Sequence, residues 1–353
     1  MSAPVRPNRG FHELLEEGRA PYLYVDACIQ AWPDADYASA HRHGVAAYGV
    51  TAWHPQISFE QAFEELMDWH RVARENPRLS VAYTAQDIRD AWERGDATLL
   101  LASQDGEFIG GKLHRVEAFY RLGLRITLFA YNRSNLICGG CLDREDSGLT
   151  RFGRRVLEEC NRVGLLIDCS HVSRRSSLEL TEFSADPVVY THANPAHLCQ
   201  HPRNIDDEQI RAVAARGGVI GLVSWGPLVQ KNGQASRPSV EDFLDHIDYV
   251  ADLLGGTQAI GLGTDMSLGS YPPHRHDPWG DPDYPPTMAR YNAIPGMPTT
   301  PLSPLRFVEG FDSFSQIGHL AERLSSRGYG ESDIRGILGE NFLRVFEQVW
   351  KPV

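Results

Sequence analysis

The stretch GLLIDCSHVSRRSSLELTEFSADPVVYTH (164–192) decides the fold. Two short apolar runs, GLLIDCSH (164–171) and PVVYTH (187–192), flank a polar segment of helical length, and each run ends in a histidine. Continuous apolar runs, rather than alternating ones, mark strands buried on both faces, as in parallel sheets covered by helices. A third run, AIGLGTD (259–265), ends in Asp265. Strands that stop on a metal-binding or proton-transferring side chain are what a parallel barrel presents at its C-terminal face.

Working outward, five more strands are predicted: YLYVDACI (22–29), GVAAYGVTAW (44–53), TLLLASQ (98–104), RITLFAYN (125–132) and VIGLVSW (219–225). Helical periodicity falls between them. Phe59, Ala62, Phe63, Leu66 and His70 mark one helix over 58–75, and others are predicted over 112–122, 150–162, 206–216 and 240–254. Asp206, Asp207 and Glu208 suit the positive end of their helix. Eight such strands separated mostly by helices give an α/β chain whose expected architecture is a (β/α)8 TIM-type barrel. A doubly wound open sheet is the rival. No boundary divides residues 1–353 into domains. The expected parts are an N-terminal arm (1–20), a Pro-rich loop after strand eight (270–304) and two C-terminal helices within 316–350. The loop carries Tyr271, Trp279, Tyr284 and Tyr291, and reads as an ordered lid or subunit contact.

The chain is 42% hydrophobic and 23% charged, enough for a sizeable core, and its formal charge of −12 opposes a nucleic-acid or anionic-membrane partner. The first residues lack the apolar core of a signal peptide, and no apolar run reaches the length of a membrane span. Six cysteines in 353 residues make no disulfide framework. Free thiols and a cytoplasmic location are expected.

Read on their own, His171 and His192 either share one metal or are buried, hydrogen-bonded histidines. Asp265 is a third ligand, a proton-transfer group or a loop cap. Arg203, in HPRN with Asn204, either grips a substrate carboxylate or forms a surface ion pair. The Cys138–Cys141 pair in CGGC resembles a redox or zinc half-site without the context of either, and its role stays open. The histidines around Arg42 and Arg275 read as solvated loop.

The runs NRVGLLIDCSHVS, PVVYTHANPAHLCQHPRNIDDEQI, AIGLGTD and GILGENFLRVFEQV resemble the membrane (renal) dipeptidase family of the amidohydrolase superfamily, and the likeness extends over nearly all of the chain from residue 22. The resemblance implies a metallo-dependent-hydrolase-like barrel, a homodimer, and two zinc ions that hydrolyse dipeptides, including some with a D-residue at the C-terminal side. It also implies that His171 and His192 ligate one zinc, Arg203 binds the substrate carboxylate, and Asp265 shuttles protons. Asp26 matches the aspartate just before the first metal motif. The match fails at that motif, where the expected His-x-Asp is Cys28-Ile29-Gln30, and at the bridging glutamate, whose place falls on Gln104. Neutral amides ligate zinc poorly, and burying an uncompensated ion costs several kcal/mol.

The expectation is therefore a hydrolase of an amide or peptide bond in a small carboxylate-bearing substrate. It would use at most one zinc per chain, or none, on His171 and His192 with Cys28 or Asp265 completing the set. His171 and Asp265 would be catalytic, with Arg203 and Asn204 binding substrate. The alternatives are a catalytically silent barrel that binds a small carboxylate through Arg203, or thiol chemistry at Cys28.

Overall fold

The first strand, β1 (Tyr24–Ala31), pairs in parallel with β2 (Val45–Thr51), which pairs with β4 (Ala97–Ser103). The computed structural model describes residues 21–32, 34–37, 42–53, 55, 57–269, 294 and 304–352. The expected arm over 1–20 lies outside them, as does all but Ile294 and Pro304 of the expected loop over 270–304.

From β4 the parallel order continues through β5 (Leu124–Leu128) to β6 (Leu166–Asp168). A separate parallel pair joins β7 (Ile220–Leu222) to β8 (Ile260–Leu262). The predicted strand 187–192 spans the gap by single bridges, Val189 to Asp168 and Tyr190 to Ile220. It is not a full ladder because Thr191 N donates to Asp168 Oδ1 (3.0 Å) and His192 N to Ser170 Oγ (3.2 Å). Side-chain oxygens there replace the carbonyls of a neighbouring strand. On the far side Asp265 N donates to Cys28 O (2.8 Å), Gln30 N donates to Met266 O (2.9 Å), and β9 (Ser267–Leu268) pairs with β1. The predicted (β/α)8 ring is thus present, partly completed by bridges rather than continuous ladders.

Helices alternate with these strands: α1 (Phe59–Glu75), α2 (Ala85–Glu93), α3 (His114–Arg121), α4 (Arg151–Val163), α5 (Arg174–Phe183), α6 (Asp207–Ala215), α7 (Gly226–Val229) and α8 (Val240–Leu254). The sequence reading missed α2 and a three-residue strand, β3 (Leu79–Val81), which pairs with the start of β4. Thr84 and Asp87 form a capping box at α2, a signal of helix start that the sequence does contain.

The chain ends in α9 (Ile317–Ser326), α10 (Glu331–Arg335) and α11 (Asn341–Val349), so the predicted helix over 332–349 is interrupted by one π-helical turn, Gly336–Glu340. That turn sets α11 beneath the barrel, where Phe342 and Phe346 join Val25, Leu100, Ile126, Leu166, Val189 and Val219 in the inner core. A Cβ on Gly261 would overlap the Phe342 ring, so a bare backbone there is a packing requirement. Among the described residues no helix is long and apolar enough to cross a membrane.

Candidate active site

Three non-glycine residues have positive φ among those described: Asn132 (63°), His171 (65°) and Asp265 (59°). Each follows the C-terminal end of a strand position, and the left-handed conformation costs a β-carbon-bearing residue roughly 1–2 kcal/mol. Strain of this kind gathers where geometry serves function. His171 and Asp265 were singled out from the sequence; Asn132 was not, although it ends the run RITLFAYN.

His171 and His192 are brought together, both buried, with their Nε2 atoms 2.8 Å apart. His171 Nδ1 contacts Asn132 Oδ1 at 2.7 Å, and the Tyr131 ring stacks on the imidazole at 4.2 Å. His192 Nδ1 contacts Thr191 Oγ1 at 2.7 Å, and that hydroxyl donates to Asp168 Oδ2. Burial, and then the Arg203 cation, push both imidazoles well below the usual histidine range, so both rings are neutral near pH 7.

Arg203 is buried behind the pair, and its Nη2 donates to His192 O (3.1 Å). Asn204 is spent on the loop itself: Nδ2 donates to Cys199 O (2.9 Å) and Leu228 O (3.0 Å), while Oδ1 accepts from Asn194 N (3.2 Å). A side cavity of about 170 Å³ reaches His171 and Arg203 between Cys141, Asp143, Asp146 and Arg174.

The second cluster joins β1 to the end of β8. Gln30 Nε2 donates to Asp265 Oδ1 at 2.8 Å, and Cys28 Sγ lies 3.9 Å from the same oxygen. Gln104 Nε2 donates to Thr51 Oγ1 (2.9 Å) and approaches Cys28 Sγ (3.3 Å). Desolvation raises the Asp265 carboxyl to about 6, against the Gln30 hydrogen bond and the Arg203 charge, although part of the residue reaches the mouth. Asp26 sits below, also raised to about 6 by burial, and accepts from Thr264 N (2.9 Å), Thr264 Oγ1 (2.7 Å) and Tyr24 OH (2.9 Å). Burial pushes the Cys28 thiol well above its ordinary range, and the neighbouring Asp265, Asp168 and Asp26 add to the effect.

The donor set bears directly on metal binding. A tetrahedral zinc spaces two imidazole nitrogens about 3.3 Å apart at bond lengths near 2.05 Å, so the histidine pair closes on one ion with a small parting. No third His, Cys, Asp or Glu completes a cluster with them among the described residues. The positions where the resemblance expects carboxylate ligands hold amides whose N–H groups point at Asp265, Thr51 and Cys28. A second, carboxylate-held ion does not fit that donor set.

All six cysteines are free. The CGGC loop packs on the site: Cys141 N donates to His171 O (2.9 Å), Leu142 N donates to Asn132 O (2.8 Å), and a Cβ on Gly140 would overlap the Asn132 backbone.

The chain matches the model of the family described as membrane dipeptidase (peptidase family M19) over residues 32–277 and 295–351. Dipeptidase tcpJ of Claviceps purpurea (strain 20.1) is 24% identical over 338 residues, spanning 95% of this chain and 68% of the relative. An amidohydrolase from Pseudomonas aeruginosa superposes with a TM-score of 0.80 at 29% identity, covering 95% of this chain and 99% of that one. A metallopeptidase from Rhodobacter sphaeroides, solved with a phosphinate mimic of the dipeptide L-Ala-D-Ala, shares the fold at a TM-score of 0.68 and 22% identity, covering 98% and 92% of the two chains.

Proposed function

The chain belongs to the membrane dipeptidase family of hydrolases, and on that premise we propose that it cleaves an amide or peptide bond in a small carboxylate-bearing substrate with an altered, at most mononuclear, metal site. The observation that carries this reading is the pairing of Gln30 with Asp265 beside a histidine pair that converges on one point.

Arg203, buried and close enough to bias both histidines and Asp265, binds the substrate carboxylate by charge-assisted hydrogen bonds. Asp265, with a carboxyl near 6, takes a proton from the attacking water and returns it to the leaving amine. The Gln30 amide keeps Asp265 Oδ1 fixed while Oδ2 does this work. His171 and His192 would hold one zinc ion, which when bound would supply Lewis acidity at the mouth.

Metal analysis of protein purified without chelator, followed by a panel of dipeptides with L- and D-residues at the C-terminal side, tests the proposal. Up to one zinc per chain, with hydrolysis that Asp265→Asn abolishes, is the expected result. Two zinc ions per chain would make the protein an ordinary dinuclear dipeptidase. Thermal stabilisation by dipeptides without turnover would favour the second reading, a silent barrel that binds carboxylates through Arg203. A reactive Cys28 thiolate draws no support from a site that holds the thiol protonated.

A further inference from the structure

We infer that Asn132 on one side, and Thr191 with Asp168 on the other, are positioning residues that hold both imidazoles as Nδ1–H tautomers and turn both Nε2 lone pairs onto one cation site. The inference deepens the mononuclear reading above and rests on it for the identity of the cation.

Asn132 Oδ1 is a carbonyl oxygen and can only accept, so its 2.7 Å contact requires the proton on His171 Nδ1. Thr191 Oγ1 has a single hydrogen, and it goes to the Asp168 carboxylate. The hydroxyl oxygen is then left to accept from His192 Nδ1–H at 2.7 Å. Asp168 is itself anchored, its Oδ1 accepting from Ser170 N (2.8 Å) and Thr191 N (3.0 Å). With both δ protons committed to these outer partners, the two ε nitrogens are left to face each other at 2.8 Å. Lone pairs at that distance repel, and a cation placed between them turns the repulsion into ligation. Outer hydrogen bonds of this kind fix the tautomer of a metal-binding imidazole and set which nitrogen it offers.

The backbone supports the same geometry. Asn132 and His171 are both held at positive φ, and the CGGC loop clamps each through its carbonyl, Leu142 N on Asn132 O (2.8 Å) and Cys141 N on His171 O (2.9 Å). Gly140 must lack a Cβ for that loop to lie against Asn132. The CGGC motif, which looks like redox or zinc chemistry in the sequence, serves here as a backbone clamp on the first histidine and its partner.

The test uses the full chain labelled with 15N-histidine, stripped of metal, at pH 8, together with zinc affinity measured by chelator competition. Both rings are expected as Nδ1–H tautomers in the unsubstituted protein. Thr191→Val should move His192 to Nε2–H and weaken zinc about 10–100-fold, while Thr191→Ser, which keeps the hydroxyl, stays within about threefold. Asn132→Gly should do the same to His171, at a backbone angle that glycine adopts freely. If Thr191→Val does not fold, the Asn132→Gly protein decides the matter. An Nε2–H signal on either ring of the unsubstituted protein overturns the inference, and so does zinc affinity that neither variant changes. Two Nδ1–H rings in a protein that binds no zinc would uphold the positioning and refute the metal reading.

Discussion

His246 gives a pH dependence whose sign and size follow from its surroundings. It is fully buried on α8, where its Nε2–H donates to Val229 O at 3.1 Å and its Nδ1 has no hydrogen-bond partner. Protonation would place a second donor at Nδ1 with no acceptor to receive it. Desolvation therefore lowers the imidazole from 6.5 to about 4, the Val229 carbonyl opposes the fall, and Lys231 on one side and Asp245 and Asp242 on the other pull in opposite directions. The folded value is depressed, so the stabilisation is complete above the unfolded value of 6.5 and drains as pH falls toward about 4. At pH 4.5 the linkage relation puts the loss at about 2.5 kcal/mol, using about 1.36 kcal/mol per pH unit. His246→Gln retains an amide donor for Val229 O and removes the titration. Urea midpoints at pH 7.5 and 4.5, for both proteins, should show the variant within about 1 kcal/mol of the parent at the higher pH and gaining about 2.5 kcal/mol on it at the lower. Parallel stability curves across that range would refute the account, because they would mean that His246 charges as readily in the folded chain as in the unfolded one.

Arg203→Met should lower kcat/KM for a substrate with a free carboxylate about 10–100-fold, the size of a charge-assisted hydrogen bond, and should leave the C-terminally amidated analogue nearly unchanged; equal losses on both would take Arg203 out of carboxylate binding. Gly263→Ala should cost about 3 kcal/mol or more in urea unfolding, since a Cβ there would overlap the Thr191 carbonyl; a loss under about 1 kcal/mol would mean the strands can part freely at that point. Cys28→Ala should keep activity within about threefold of the parent and remain insensitive to alkylating agents, whereas abolition of activity would restore a thiol mechanism.

The apolar runs carried most of the fold because strands buried on both faces cannot afford polar interruptions, and β1, β2, β4 and β5 appear within a few residues of where those runs lie. What escaped was local. β3 is three residues long, too short for a periodic pattern, and the strand at 187–192 is reduced to bridges by the side chains of Asp168 and Ser170, a tertiary effect no run of residues encodes. The π-turn at Gly336–Glu340 leaves a helical pattern unbroken in sequence while shifting its register. At the mouth, His171, His192, Arg203 and Asp265 were legible because each ends or follows a strand-like run. Asn132 and Thr191 were not, since an asparagine closing a strand and a threonine inside one are ordinary in sequence. Their importance lies in which atom each presents, Asn132 to a ring brought there by a different strand and Thr191 to the ring of the next residue.

On the proposed reading, amides at positions 30 and 104, where the resemblance expects carboxylates, have an electrostatic consequence that favours a single cation over two. Asp26 accepts from Thr264, Tyr24 and the Cys28 amide, and Asp168 from Ser170 and Thr191, hydrogen bonds that oppose the burial which raises both carboxyls. Asp265 has the Gln30 amide against one oxygen and the Arg203 charge nearby. The aspartate and glutamate that the resemblance expects at positions 30 and 104 would crowd further negative charge against Asp265 and Cys28, which additional cations would balance. With amides there, the Gln30 hydrogen bond and the Arg203 charge oppose the burial that raises Asp265. The facing ε nitrogens are a point at which one cation would be ligated, and among the described residues no group of three or more His, Cys, Asp or Glu side chains is placed to hold a second.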